Sequence, residues 1–246
     1  MNRINATIGS LLILLITLIA GRSFAQYDTI AVAILDSMSY NIGNLESCSF
    51  RFDSDFDIPS EEYGLITHSE SGIILLKAPN KMYVEKKGDK GHKEFFSDGK
   101  SFSLYSHDKN QYATMPSTMN LIDFIDSVSG YYGIEFPGAD VFYPDFVNNI
   151  LETSDNLIFL GLGMIGNTEC YHIAGVRDDM TFQIWISSDD KYLPMKLSIV
   201  YTTRSGNPQY RLVYSDWKLN EYIDDSRFTF IVPDGAKLTK ISKGSN

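Results

Sequence analysis

The sequence predicts a mainly β protein of the α+β type: one helix, a run of antiparallel strands, a helical insertion, and a second run of strands. Three observations carry this reading. Residues 47–58 alternate between apolar and polar side chains, the period of a strand with one wet face and one buried face. Turn-forming groups such as Gly88-Asp89-Lys90-Gly91, Asp98-Gly99 and His107-Asp108-Lys109-Asn110 separate further extended runs at short intervals. Helical spacing of apolar residues occurs in only a few places, at the start of the chain and again in its middle.

The chain has 246 residues, of which 43% are hydrophobic and 13% aromatic, too apolar a composition for a disordered chain. Its formal charge of −10 opposes phosphate backbones and anionic membrane surfaces, which need clustered basic groups, and so excludes nucleic acid as a partner.

Taken in order, Arg3, the apolar run Leu11–Ala20 and the small residues of Ser23-Phe24-Ala25 form a secretory signal peptide, residues 1–25. The apolar run is about half the length that a membrane-spanning helix needs. The residue after the cut is Gln26 and not Cys, which removes the lipid-attachment pattern of a bacterial lipoprotein. The expected product is an exported, soluble, unanchored periplasmic chain, residues 26–246, forming one domain with no integral membrane segment. Cleavage removes Arg3 and Arg22 and no acid, so the mature chain is more acidic still.

From Thr29 to Ile42, Ile30, Ile34, Met38 and Ile42 recur every four positions, one face of a helix that Asp28 or Thr29 caps and Gly43 ends. The strand at 47–58 places Cys48, Phe50, Phe52, Phe56 and Ile58 on one face and Arg51, Asp53, Asp55 and Asp57 on the other. Extended runs follow at 63–78, 81–87, 92–97, 100–106 and 110–115. Helical spacing returns at 117–128 and after Pro144, where Phe146, Val147, Ile150 and Leu151 share a face. Between these helices lies the aromatic loop 130–143, with Tyr131, Tyr132, Phe136 and Phe142; it is either packed on the core or a lid over an apolar site. The second meander occupies 156–165, 168–176, 180–187, 191–203 and 208–220, with a last short run at 227–232.

Chemical motifs mostly fail. Gly161-Leu162-Gly163-Met164-Ile165-Gly166 fits the dinucleotide fingerprint by letter, but Gly166-Asn167 reads as a hairpin turn and residues 170–176 as a strand, so no helix opens to receive a phosphate. Asp53, Asp55 and Asp57 imitate the start of a calcium loop, yet Ile58 and Gly64 stand where it needs Gly and an acid. They read instead as the solvated face of a strand, guarding a possible edge. His68, His92, His107 and His172 are scattered, so no metal site or other cofactor is expected. Cys48 and Cys170 allow one disulfide in an oxidising compartment; the alternative is two buried thiols.

In the C-terminal third, Glu169-Cys170-Tyr171-His172-Ile173-Ala174, Phe182-Gln183-Ile184-Trp185-Ile186, Leu193-Pro194-Met195-Lys196-Leu197, Tyr210 through Ser215-Asp216-Trp217, and Phe228 to Ala236 resemble an uncharacterised family of predicted periplasmic proteins. That family is similar in fold to the lipoprotein carriers LolA and LolB. The resemblance implies a half-open antiparallel β-barrel of about eleven strands, its concave aromatic face plugged by helices. In LolA the concavity receives the acyl chains of lipoproteins and uses an arginine there; the nearest candidate in this chain, Arg51, falls on a polar strand face. The inner-face positions Phe50, Phe52, Phe56, Phe102, Leu104, Phe182, Ile184, Ile186, Met195 and Leu197 are the candidate ligand cavity.

The functional expectation is a non-enzymatic carrier or chaperone for a lipid or acylated protein. A regulatory sensor of the same fold, binding a membrane-anchored protein, is the alternative, and a hydrolase with a triad including His172 is the third.

Overall fold

A computed structural model describes residues 26–132, 134 and 136–240; the expected leader, residues 1–25, lies outside the described residues. The short strand β1 (Gln26–Tyr27) leads into helix α1 (Thr29–Gly43). Asp28 caps α1, its Oδ1 accepting from the Ile30 amide at 2.8 Å. The face of α1 carrying Ala31, Ile34, Leu35, Met38 and Ile42 is buried, and each large side chain on it contributes roughly 1.5–3 kcal/mol by leaving water.

Six strands follow: β2 (Ser47–Ser60), β3 (Gly64–Lys77), β4 (Lys81–Gly88), β5 (Gly91–Asp98), β6 (Ser101–Ser106) and β7 (Gln111–Pro116). The insertion holds α2 (Leu121–Tyr132), a 3-10 turn (Ala139–Phe142) and α3 (Phe146–Thr153). The chain returns through β8 (Asn156–Ile165), β9 (Thr168–Val176), β10 (Thr181–Ser187), β11 (Pro194–Val200) and β12 (Gln209–Leu219), and ends in a 3-10 turn (Asp225–Phe228) and β13 (Lys237–Leu238).

The thirteen strands of the described residues form one sheet in the order β1-β8-β9-β10-β11-β12-β2-β3-β4-β5-β6-β7-β13. The two meanders are joined where β12 pairs with β2, from Tyr210 opposite Phe56 to Leu219 opposite Cys48. The end strands are not paired with each other, so the sheet is half-open. One core cluster draws on α1, α2, α3 and strands from both meanders, from Phe102 on β6 to Ile173 on β9. A smaller cluster of Leu75, Tyr83 and Phe228 is sealed by the C-terminal 3-10 turn.

Several expectations are corrected. Two additional two-residue strands, β1 and β13, pair in parallel at the sheet's ends and raise the strand count. The run at 227–232 is not a strand: Asp224 accepts from the Ser226 amide at 2.9 Å and turns the chain into a 3-10 helix. The helix foreseen at 117–128 starts at Leu121, where the Asn120 side chain accepts from the Asp123 amide, and it continues through Gly130. Strand β2 is internal, so Asp53, Asp55 and Asp57 guard no edge. Asp55 and Asp57 instead accept hydroxyl protons from Ser69 and Thr67 on the neighbouring strand.

The groove between the sheet and the helical insertion

Alternation along β10 and β11 turns Phe182, Ile184, Leu197 and Ile199 toward the insertion, in register as the pairs Phe182–Ile199 and Ile184–Leu197. Opposite them stand Phe146 and Ile150 of α3, with Tyr143 just before it. The space between is a groove of about 560 Å³, whose rim carries Asp140, Asp145, Arg177 and Tyr201. Asp140, Tyr143, Ile199 and Tyr201 also line a second recess of about 750 Å³, which runs on toward Phe56, Phe136 and Tyr210. Apolar walls with a polar mouth, at volumes within the usual range of about 300–1,000 Å³, are what a small amphiphile needs.

The insertion is held over the sheet by specific contacts. Phe136 meets Phe95 edge-on at 5.3 Å, and Phe142 stacks on Phe50 at 5.9 Å. The Tyr27 hydroxyl donates to the Ser154 carbonyl just beyond α3 at 2.9 Å. Tyr143 donates to Asp126 Oδ1 at 2.5 Å; burial, and then this bond, raise the phenol's pKa above its ordinary value. At the mouth Lys86 pairs with Glu70 at 3.5 Å, and the Arg204 guanidinium lies 4.1 Å from the Tyr201 ring centroid.

The ten candidate cavity residues separate into groups. Phe182, Ile184 and Leu197 line the groove and Phe56 lines the adjoining recess. Phe50, Phe52, Phe102 and Ile186 line neither recess and are buried under the helices, in the same core cluster as Phe182, Ile184 and Leu197, with Leu104 packed against it. Met195 reaches neither place. The β10–β11 register shifts so that Trp185 faces Lys196 and Ile186 faces Pro194, which leaves Met195 as the extra residue of a bulge. The helices thus pack one continuous core against the sheet, and the groove opens beside it.

Among the four aromatic loop residues, Phe136 is buried and Phe142 half-buried on the core, while Tyr131 is 66% exposed. The Tyr132 side chain lies outside the described residues. Ile199 and Tyr201 were not among the candidates, while Phe146 was expected only on a helix face and Tyr143 only as the end of the aromatic loop. Ile199 was legible, two residues beyond Leu197 on the same face, and Tyr201 follows it just past the end of β11; Phe146 and Tyr143 depend on how the insertion folds back.

The remaining motifs have structural roles. Gly161 and Gly163 sit within β8, and Gly166-Asn167 forms the turn to β9. His172 stacks on Trp185 at 4.2 Å and bonds the Gln183 side chain at 3.0 Å. It alternates with the core residue Ile173, so it faces away from the groove. Cys48 on β2 and Cys170 on β9 are both buried and free, with β10, β11 and β12 between their strands, so of the two alternatives the structure has the pair of buried thiols. Among the described residues no group of His, Cys, Asp or Glu converges as a metal site, and no helix is long and apolar enough to cross a membrane.

Fold and groove together define a half-open β-sheet protein with an apolar recess between its sheet and its helical insertion. The chain belongs to the family of predicted periplasmic proteins designated DUF2092, whose family model matches residues 31–242. A curated relative, an uncharacterised protein of Methanocaldococcus jannaschii, is 26% identical over 165 residues, 65% of this chain and 40% of that protein. The chain therefore spans well under half the length of that relative. Among solved structures, lipoprotein LppX of Mycobacterium tuberculosis superposes with a TM-score of 0.52 at 16% identity, over 80% of this chain and 98% of that one. A LolA superfamily protein from Nitrosomonas europaea covers 81% of this chain and 97% of its own at 12% identity, with a TM-score of 0.34. The likeness to LppX is one of fold.

Proposed function

We propose that this protein is a non-enzymatic periplasmic carrier or chaperone that holds an acyl chain of a lipid or lipidated protein in the groove between β10–β11 and α3. The observation that carries the reading is the continuous apolar wall of Phe182, Ile184, Leu197 and Ile199 facing Phe146 and Ile150 under a polar rim. Each methylene buried there contributes about 0.8 kcal/mol, so an acyl chain of ten carbons supplies about 8 kcal/mol before ordering costs. The partners that follow are acylated molecules. The rim groups Arg177, Tyr201 and Asn149 face the position of a headgroup and give orientation.

The test is to delipidate the protein, incubate it with a membrane extract, re-isolate it and identify bound acyl chains by mass spectrometry. Close to one lipid per chain is expected, and Ile199→Trp, which fills the wall shared by both recesses, should reduce retention at least tenfold with little change in Tm. Retention of no acyl chain by the unsubstituted protein overturns the reading. Capture of one stoichiometric membrane-anchored protein, without transfer of lipid between vesicles, favours the sensor role over the carrier.

A further inference from the structure

The two edges of the sheet are treated differently by the sequence. At one end the chain covers its own edge: β13 pairs with β7 at Gln111 and Tyr112, the Thr239 amide donates to the Tyr112 carbonyl, and Phe230 packs on Tyr112 and Tyr105. β7 then stops at Pro116, which offers no donor. At the other end β8 is met by β1 only at Asn156 and Leu157, and Asp28 accepts from the Phe159 amide. Among the described residues no strand pairs with the outer edge of β8 beyond that point.

This bare edge lacks the usual protection. Residues 158–165 contain no charge and no proline. Ile158, Leu160, Leu162 and Met164 are all exposed, the last two at 58% and 60%. One protective device is present, a bulge at Leu160, and it leaves Gly161–Ile165 in regular pairing with β9. Gly161 and Gly163 leave bare the other face of β8, opposite to the one that carries Leu162 and Met164. A Cβ at Gly163 would lie 3.9 Å from the Trp185 indole nitrogen, so the N–H edge of the indole borders the empty position, while His172 and the Lys196 ammonium lie against its ring. Glycine within a strand is where another backbone can approach closely.

We propose that the outer edge of β8, centred on Gly161–Ile165, is a β-augmentation site that takes an extended, apolar, non-acidic peptide segment of a partner protein as an additional strand. Main-chain hydrogen bonds to the free edge supply affinity. Selectivity comes from a large or aromatic side chain lying over Gly163 toward Trp185, with its neighbours against Leu162 and Met164. Area and charge argue for a peptide over a second copy of this chain. The exposed apolar area of the four β8 side chains is on the order of 400 Å², about half of what each partner buries in a stable dimer. Two copies are also each strongly acidic, at −10 for the full chain and more without its leader, and repel one another.

The test uses end-capped, fluorescein-labelled hexapeptides in which threonine alternates with valine, leucine or phenylalanine. Binding is followed by anisotropy and by hydrogen exchange of the β8 amides. Saturable binding with slowed exchange confined to Gly161–Ile165 is expected, with phenylalanine the tightest. Leu162→Lys and Met164→Lys, both at exposed positions that leave the fold intact, should each weaken binding at least tenfold and leave acyl-chain uptake unchanged. The same peptide N-methylated at alternate residues should not bind. Failure of every peptide, binding that survives both lysine variants, or a dimer at micromolar concentration with Gly161–Ile165 protected in the absence of peptide would each overturn the proposal.

Discussion

Gly138 lies directly on Tyr214: a Cβ at Gly138 would stand 2.5 Å from the Tyr214 hydroxyl and 2.7 Å from the edge of its ring. Gly138 also has φ +71°, which side chains with a Cβ adopt only at a cost. This contact seats the insertion on β12, between the anchors Phe136 and Phe142. Gly138→Ala should therefore cost about 2–4 kcal/mol, combining backbone strain with overpacking. Urea denaturation measures it. Because the groove lies between this insertion and the sheet, exchange of a bound acyl chain should also accelerate; a loss of less than about 0.5 kcal/mol would show that the seat is soft.

Tyr214 completes the same relationship from below. Its hydroxyl is buried with no hydrogen-bond partner, and burial raises its pKa well above the ordinary phenol value. An unsatisfied buried hydroxyl costs about 1–3 kcal/mol. Tyr214→Phe should accordingly be neutral or stabilising by up to about 1 kcal/mol in thermal or urea unfolding. The double variant with Gly138→Ala should recover part of the glycine defect, since the nearest clashing atom is gone. A coupling of about 0.5 kcal/mol or more in the double-mutant cycle is the expected result, and strict additivity would separate the two sites.

How far the sequence revealed this arrangement differs by element. Strand β2 was legible because its inner residues Phe50 and Phe52 alternate with Arg51 and Asp53, and a period of two has no other explanation. Helix α1 was legible from its four-residue spacing and its Asp28 cap. The groove was half legible: Phe182, Ile184 and Leu197 were visible by parity, whereas which part of the core they share with Phe50 and Phe102 borders an opening depends on where the helices cover the sheet. Met195 was misplaced because a bulge breaks parity without a mark in composition. The tail 227–232 looks like a strand in isolation, yet Asp224 and Asp225 commit its start to a turn.

The two cysteines give a chemical check on the free-thiol arrangement. Burial pushes the Cys48 thiol up to about 12 and raises the Cys170 thiol as well, so neither carries much thiolate at neutral pH. A thiol reagent applied to the native protein should react far more slowly than with a free cysteine peptide. In denaturant without reductant, both thiols should be titrated, two equivalents per chain. Zero equivalents under those conditions would mean a bridge that the separation of β2 and β9 does not permit.

The outer cluster should show a specific acid response through Asp225. Its carboxylate accepts from Lys77 and from Lys81, which holds its pKa down at about 2 against an ordinary 3.8. A depressed carboxylate stabilises the fold above its unfolded pKa, and that contribution is lost as pH falls through the folded one. The clamp on the Asp225–Phe228 turn should therefore be intact at pH 5, weaken below about pH 4 and be released near pH 2. Phe228, fully buried against Leu75 and Tyr83, is the residue this turn presses into place. NMR titration of the Asp225 carboxyl should give an inflection near 2, moving up toward 3.8 when Lys77 and Lys81 are both replaced by methionine. The Phe228 ring resonances should follow the same curve. An inflection that stays near 2 without the lysines would assign the depression to the turn's backbone and remove the clamp from the account.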